Sequence, residues 1–441
     1  MPIKTAELKL VLLLSAAMFV GVFDSMLDGL ALKHIQNSIG MHDSDVGRYV
    51  AFIRLGVLPA VLLAMGSDLY GRRRFLMITI IGVMLSSVAT AFVTTPESFV
   101  AAQFFARMFA VAEDFLSIVV LVEELRPELR GWGLGAFGAM GAFGGGMAAV
   151  LFAFIDSIPG SWRTLYVLGV VPMIWIAWFR RSLPETQKFA ARGSGRRPPR
   201  AIDAWRPLIA LFRDYPGRLV VLAAIAGPYG FALGTSLFYV PKFLQEAHGF
   251  SPAEVAMTYL LPAGIPLMGN FLAGSYSDVI GRRKMLVSGF VTAGLGALVL
   301  YTATSSWLTI AGLLLTMFAV FGMDVLIGAL GAELFPTSYR STSSAARAIV
   351  LALSAAAGLL CESALFPLVG GHAPAIVLLL ITVPVGALVA WFFSDRDSYP
   401  WPRYRFAGEE VLAQELTMMQ WRNCTNVPWV AALAPMTAAY S

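Results

Sequence analysis

The segment GSDLYGRRRFLM, residues 66–77, places one aspartate and three consecutive arginines between two long apolar runs. A second segment, SDVIGRRKML at residues 277–286, repeats the Asp, Gly, Arg and Arg of the first at an offset of 210 positions. A motif that returns at a fixed offset indicates that the chain contains two diverged copies of one structural unit.

The composition is that of a chain embedded in a bilayer. Hydrophobic residues make up 58% of the 441 residues, charged residues 13%, and the mean hydropathy is +0.72. Soluble domains carry about 25% charged residues. Runs of about 20 apolar residues cross a ~30 Å hydrocarbon core, and we predict twelve of them, near 8–32, 46–66, 75–94, 97–121, 131–155, 163–181, 219–241, 252–274, 285–304, 306–330, 342–368 and 373–393.

One connection is much longer than the others and divides the predicted spans six and six. Residues 182–218 are rich in Arg, Pro and Gly, a composition typical of a flexible basic linker. The predicted organisation is therefore an N-terminal bundle, a cytoplasmic linker, a C-terminal bundle and a cytoplasmic tail, over residues 1–185, 186–217, 218–394 and 395–441. Within the tail, EEVLAQELTMMQW predicts a short amphipathic helix.

The distribution of basic residues predicts the orientation. Most of the 32 Lys and Arg residues fall on one side if the N-terminus is cytoplasmic, and cytoplasmic loops carry the excess of positive charge. We therefore expect an integral protein of the bacterial inner (plasma) membrane, in contact with the lipid bilayer, with both termini in the cytoplasm. A monomer suffices because one chain holds both bundles.

Several functional classes are disfavoured by the residues present. Two cysteines cannot form a disulfide framework, and the four histidines show no metal-ligand spacing. No GxxxxGK[ST] motif is present. We expect no metal, no cofactor, no catalytic site and no nucleic-acid partner, so the protein is predicted not to be an enzyme.

The duplication extends beyond the opening motif. A shift of 209 aligns Lys33 with Lys242, Gln36 with Gln245, and further pairs that include Gly40 with Gly249 and Glu124 with Glu333. Because each half has an even number of spans, the copies run in the same direction, as expected for two bundles that rock about a central site. Helix starts are predicted at Ser251-Pro252, closed by Glu254, and at Thr95-Pro96, with Glu97 in the similar role.

Several motifs in order resemble one family. The signature GSDLYGRRRFL, its copy SDVIGRRKML, the element ELRPELRG with its counterpart ELFPTSYRS, and LPETQKF after the sixth span resemble the major facilitator superfamily over about residues 8–394. The resemblance implies an all-α integral membrane fold of twelve helices in two pseudo-symmetric six-helix bundles, with alternating access. It also implies a cytoplasmic gate network of Asp68, Gly71, Arg72, Arg73, Glu124, Arg130, Asp278, Gly281, Arg282, Arg283, Glu333 and Arg340. The acidic first span, FDSMLDG, and LPETQKF look most like the metabolite/proton symporter branches, which include aromatic-acid and sugar porters.

Ionisable side chains within the spans indicate where function lies. Each costs roughly 2.5 to 3.5 kcal/mol on insertion scales, so such residues face a cavity or one another. They are Asp24, Asp28, Arg54, Arg107, Glu113, Asp114, Asp324, Arg347 and Glu362.

Counting helical rise places Asp24, Arg54 and Arg107 at one depth. We predict that Arg54 and Arg107, with Asp24 and Asp28, bind the substrate. Proton coupling is predicted at Asp24, Glu113, Asp114 and Asp324. The alternative is that some of these residues form buried ion pairs that only orient helices.

The predicted function is proton-coupled symport of a small organic anion, of the carboxylate type, by a secondary transporter. One alternative is a proton antiporter that exports drugs or other cationic and amphipathic compounds. A second is a transporter-like sensor that moves nothing, which the duplicated gate motifs disfavour.

Overall fold

The computed structural model describes residues 3–181, 201–336 and 339–393, except for the side chains at 68–70, 201–207, 278 and 340–341. Every regular element in these residues is helical. Eleven of the helical segments are long and apolar enough to cross a membrane. A further helix, Pro96–Glu124, is 29 residues long but carries Arg107, Glu113 and Asp114 in its middle turns. The architecture is the predicted all-helical one.

The described residues of the first half form eight helices. Five of the six predicted spans are each formed by one helix, whereas the second predicted span is broken at Leu55 and Gly56. Gly56 is required there because an added methyl group would lie 2.6 Å from the Phe104 carbonyl oxygen. The helices are α1 Thr5–Leu30, α2 Leu32–Ile39, α3 Asp43–Arg54, α4 Val57–Tyr70, α5 Arg72–Phe92, α6 Pro96–Glu124, α7 Pro127–Phe152 and α8 Trp162–Arg180.

The second half repeats this arrangement. Its first segment contains a π-helical turn, Tyr229–Gly234, and its second segment is broken at 261–263, as α3 and α4 are broken in the first half. Helix α9, Ala201–Asp214, precedes this half. The helices of the half are α10 Pro216–Pro228, α11 Thr235–Ala247, α12 Pro252–Leu260, α13 Gly264–Ile280, α14 Arg282–Thr302, α15 Ser306–Glu333, α16 Arg340–Val369, α17 His372–Leu379 and α18 Thr382–Phe393.

The predicted helix starts are confirmed, with one change of partner. Ser251 Oγ accepts from the Glu254 amide at 3.3 Å, and Glu254 accepts from the Ser251 amide at 2.8 Å. At the start of α6, Thr95 Oγ1 accepts from the Ser98 amide. Ser98 Oγ, rather than Glu97, accepts from the Thr95 amide at 3.2 Å and closes that cap, and the Glu97 carboxylate accepts from Tyr49 OH at 3.0 Å.

Glycines at equivalent positions of the two halves share a left-handed backbone. Gly71 and Gly281 have φ of 104° and 97°, and Gly40 and Gly249 have φ of 69° and 68°. Residues with a Cβ rarely adopt this region. The repeated motif therefore encodes the same tight turn twice, immediately before α5 and α14.

The second part of the predicted linker is helical. Residues 201–214 form a helix, α9 Ala201–Asp214, and Leu208 and Leu211 of this helix are buried. It packs against α4 of the first half and against α10 and α16 of the second. Apolar residues at helical spacing thus form a helix here, although the linker as a whole is rich in Arg and Pro. The preceding linker residues, and the tail with its predicted amphipathic helix, lie outside the described residues.

The helical bundle has two ends, named here the basic face and the opposite face. The basic face is the end where α1 begins and where Gly71 and Gly281 turn the chain. The opposite face holds residues 31–42, 153–161 and 248–251. Between the halves, α3 packs on α16 and α7 on α12. At Gly47 of α3 a methyl group would collide with the Leu359 carbonyl oxygen, so the halves meet closely toward the opposite face.

Candidate functional site

A cavity of about 380 Å³ lies between the two halves. The first half contributes Arg54 from α3, and the second half contributes Asp324 from α15. Three hydroxyl groups reach the wall, whereas most of the remaining lining is apolar. The lining residues are Ser25, Met26, Gly29, Leu30, Arg54, Tyr229, Gly234, Leu237, Phe238, Pro241, Tyr259, Met317, Val320, Phe321 and Asp324.

Two acids of α1 are held behind this cavity by hydroxyl groups. Asp24 is buried and accepts a hydrogen bond from Ser87 Oγ at 2.6 Å. Asp28, one turn later, accepts from Tyr166 OH at 2.7 Å. Because residues four apart share a helix face, the two carboxylates lie close enough to interact electrostatically.

Arg54 and Arg107 reach the same region from α3 and α6. The Arg54 guanidinium lies 5.9 Å from the centre of the Phe238 ring, which belongs to the second half. Arg107 Nη1 donates to Ser25 Oγ at 3.3 Å, and its Nε is buried without a hydrogen-bond partner. Asp28 lies within electrostatic range of both arginines.

Neither arginine forms an ion pair with any carboxylate that the structure describes, at a limit of 4 Å. Asp114, on the same helix as Arg107, is within its electrostatic range without direct contact. The structure therefore brings together Asp24, Asp28, Arg54, Arg107 and Asp114, and leaves two guanidinium groups available to an anion.

Glu113 forms an ion pair with Arg180 and not with Arg54 or Arg107. Its Oε1 lies 2.6 Å from Arg180 Nη1 in a pair that is almost completely buried. Thr79 and Ser117 donate to the same carboxylate at 2.5 and 3.0 Å. The arginine also donates to the carbonyl oxygens of residues 76 and 13, so it ties α8 to α5 and α1. The sequence alone did not indicate Arg180, because it lies at the end of a span, where arginines usually reach the lipid surface.

Asp324 is paired within the second half. Arg347 Nη1 donates to Asp324 Oδ1 at 2.9 Å and to the Asp324 carbonyl oxygen at 3.2 Å. Tyr229, which is within electrostatic range of both, donates its own hydroxyl to the Val320 carbonyl oxygen at 3.2 Å. The cavity thus has an unpaired cation on one side and a compensated acid on the other.

The two copies of the gate motif make equivalent ion pairs on the basic face. Arg72 pairs with Glu123, and Arg282 Nη2 lies 2.8 Å from Glu333. Both residues of the second pair are 210 positions beyond those of the first. Glu123, rather than the predicted Glu124, is therefore the structural counterpart of Glu333.

Three of the other predicted gate residues make further contacts on this face. Arg73 donates to the Arg181 carbonyl oxygen at 2.5 Å, Arg130 donates to the Leu125 carbonyl oxygen, and Arg283 stacks 3.9 Å from the centre of the Trp391 ring. The side chains of Asp68, Asp278 and Arg340 lie outside the described part of the structure.

Close to this network, Arg126 makes a two-point contact with Glu7 of α1. Its Nε and Nη2 donate to the two carboxylate oxygens at 2.6 and 2.8 Å. The hydrogen bonds from Arg126 to Glu7 raise the pKa of the guanidinium above its ordinary value. This contact fixes the start of α1 on the loop between α6 and α7.

A cross-half contact that the sequence did not predict lies toward the opposite face. Lys242 Nζ of α11 is buried and lies 2.6 Å from Gln36 Oε1 and 2.5 Å from Asp43 Oδ1, both in the first half. Gln36 in turn donates to Asp43 at 2.8 Å. Glu246, one turn after Lys242, accepts at 3.1 Å. The available signal was a lysine directly after the predicted span 219–241, next to Pro241, that repeats Lys33 at the offset of 209.

Glu362 forms a buried group just beside that contact. Tyr239 OH donates to its Oε2 at 2.6 Å, and His372 Nδ1 lies 2.6 Å from its Oε1. The histidine ring also stacks on Tyr239 at 4.6 Å. All three residues belong to the second half, so this group stiffens the helices that carry Lys242.

Comparison with known proteins supplies the family context. A family model described as Major Facilitator Superfamily matches residues 13–266 and 222–441. The 3-(3-hydroxy-phenyl)propionate transporter of Escherichia coli is 27% identical over 83% of this chain and 86% of its own length. A probable 4-methylmuconolactone transporter of Cupriavidus pinatubonensis is 24% identical over 73% of this chain and 74% of its own. Among solved structures, a D-xylose-proton symporter superposes with a TM-score of 0.69 at 18% identity, over 88% of this chain and 98% of the other.

Proposed function

The chain belongs to the major facilitator superfamily, and we propose that it is a proton-coupled symporter of a small organic anion. As a member of this family it is an integral membrane transport protein for small molecules and not an enzyme. The orientation that we propose has the basic face and both termini in the cytoplasm of a bacterial cell, with the protein acting as a monomer.

The observation that carries the proposal is the pair of guanidinium groups beside the central cavity. Arg54 lines the cavity wall, and Arg107 bonds Ser25 of the same wall. Guanidinium groups suit two-point recognition of carboxylates, and charge inside a membrane is costly unless it is compensated. An anionic substrate would supply the ion-pair partner that the described carboxylates do not.

The proposed coupling between proton and anion transport rests on the balance of charge in the site. The group formed by Asp24, Asp28, Asp114, Arg54 and Arg107 has three carboxylates and two guanidinium groups. One monoanion adds one negative charge, and one proton on a neighbouring carboxylate cancels it. Because only a group of unchanged net charge crosses the low-dielectric state at no extra cost, we propose one proton for each monoanion, carried by Asp24 or Asp114.

The contact between the halves on the opposite face supports alternating access. Lys242 with Asp43 and Gln36 joins the two halves there, whereas the pairs Arg72–Glu123 and Arg282–Glu333 each lie within one half on the basic face. Two parallel-repeat bundles that rock about a midplane cavity would break the cross-half contact when the opposite face opens.

The names of two relatives support the proposed substrate class. The names of the two relatives described above refer to a phenylpropionate and a lactone. The apolar lining of the cavity, with Phe238 and Tyr259 among its residues, suits a small organic body with one charged end.

An antiporter that exports cationic or amphipathic compounds is the second candidate, because the acids outnumber the arginines in the same group. Purified protein in liposomes with an internal pH dye separates the two. We expect a carboxylate panel to acidify the lumen, and Arg54→Gln or Arg107→Gln to abolish that signal. If lipophilic cations alkalinise the lumen in the wild type and in both variants, the protein is an antiporter and the arginines do not bind substrate.

A further inference from the structure

The central cavity is lined by one charged side chain from each half. Arg54 of α3 and Asp324 of α15 both line it. The side chains that fill the wall between them are mainly apolar, with Met26, Leu30, Leu237, Met317 and Phe321 among them. A substrate that spans the cavity therefore meets a cation at one end and a carboxylate at the other.

The charge of Asp324 is already compensated, although its carboxylate remains accessible. Arg347 lies 2.9 Å from Oδ1, and the acid keeps 49% of its side-chain surface exposed. Arg347 is the one partner of this side chain among the described residues. A compensated carboxylate has no net attraction for a cation, but it still accepts hydrogen bonds strongly.

Resting on the proposed transport of an organic anion, we propose that Asp324 selects substrates that carry a hydroxyl group at the end remote from the carboxylate. The substrate carboxylate contacts Arg54, the apolar body lies against the methionines and rings of the wall, and the hydroxyl donates to Asp324. Arg347 acts as a positioning residue, because its hydrogen bonds to the side chain and the backbone of Asp324 orient the acceptor.

This role differs from proton coupling at Asp324. An acid that carries the proton must be released from its cation during the cycle, whereas an acceptor must stay ionised and fixed. Two hydrogen bonds from Arg347 to the same residue, at 2.9 and 3.2 Å, favour the second behaviour.

The test compares acids that differ at one end only. Proteoliposomes would be assayed for kcat/KM with 4-hydroxybenzoate, benzoate and 4-(aminomethyl)benzoate. We expect the wild type to prefer 4-hydroxybenzoate over benzoate by about 10- to 100-fold, the range for a hydrogen bond to a charged group. In the double variant Asp324→Asn/Arg347→Gln, which leaves neither charge unpaired, we expect the preference to fall to about threefold or less.

Arg54→Lys is the matched control, because it weakens the carboxylate contact at the other end. We expect both acids to lose rate by a similar factor, with their ratio retained. If the double variant does not fold, Asp324→Glu, which displaces the acceptor but keeps the charge, must reduce the same ratio.

Three results would overturn the proposal: no preference in the wild type, an unchanged ratio in the variants of Asp324, or preference for the aminomethyl acid. The failure of the underlying function is distinguishable. If the wild type transports none of these acids and none of a wider carboxylate panel, anion transport itself is wrong, and the selection by Asp324 falls with it.

Discussion

Lys242 of the second half and Asp43 of the first half form an ion pair of 2.5 Å toward the opposite face, with the lysine 2% exposed and the aspartate 51% exposed. The lysine is further held by Gln36 at 2.6 Å. Since α11 belongs to the second half, and Gln36 on α2 and Asp43 on α3 belong to the first, any motion that opens this face must break both contacts.

The first prediction is that Lys242→Met opens the opposite face more often. Loss of the charged hydrogen bonds removes about 1.5 kcal/mol or more from the closed state, so we expect about tenfold greater access to the cavity. The measurement is the rate at which a membrane-impermeant maleimide labels Met26→Cys in a background in which Cys361 and Cys424 are serine.

Glu246→Gln is the control for this experiment. Glu246 contacts the same lysine at 3.1 Å but lies on the same helix, so its loss leaves the two halves connected. Equal labelling rates in the Lys242 and Glu246 variants would show that the cross-half contact does not hold this face closed.

The second prediction concerns the buried pair of Glu113 and Arg180. Removal of one partner of a buried pair costs about 3 to 5 kcal/mol, and both side chains are no more than 3% exposed. We expect Arg180→Met to lower the thermal midpoint in detergent by several degrees, and the double variant Glu113→Met/Arg180→Met to recover part of that loss.

The same residues test whether Glu113 carries a proton. If it does, Glu113→Gln abolishes substrate-driven acidification at a temperature where the variant is still folded. If Glu113 only orients helices, the variant melts earlier but retains the ratio of protons to substrate. That ratio, measured with the pH dye and labelled substrate together, separates the two roles.

The third prediction concerns the repeated glycine turn. Gly71 has a φ of 104°, and alanine in such a region costs about 1 to 3 kcal/mol. We expect Gly71→Ala and Gly281→Ala each to lower the thermal midpoint and the transport rate. Gly131→Ala is the control, because it lies in α7 with open space around it and a helical backbone, and it should be neutral or slightly stabilising. Equal effects of the three substitutions would contradict the backbone argument.

Features that depend on one segment at a time were predictable from the sequence. The apolar runs and the Ser251 cap follow from local chemistry, and the structure confirms them. Partners across helices were not predictable in this way. The partners of Arg180 and Lys242 lie on other helices. Whether Glu123 or Glu124 pairs with Arg72 depends on the rotation of α6 about its axis, which a count of residues does not give. Helix α9 was missed because arginines and prolines nearby masked two buried leucines.

The last prediction uses the equivalence of the two gate pairs. Arg72 pairs with Glu123 and Arg282 with Glu333, so each half stabilises its own end on the basic face by the same chemistry. We expect Arg72→Gln and Arg282→Gln each to reduce turnover by about tenfold while KM changes less than threefold, because a charged hydrogen bond of about 1.5 kcal/mol is lost away from the cavity. Arg74→Gln is the matched control, since Arg74 is exposed two residues after Arg72. If Arg74→Gln lowers turnover as much as Arg72→Gln, the loop acts through its total positive charge at the membrane surface, and the paired gate is wrong.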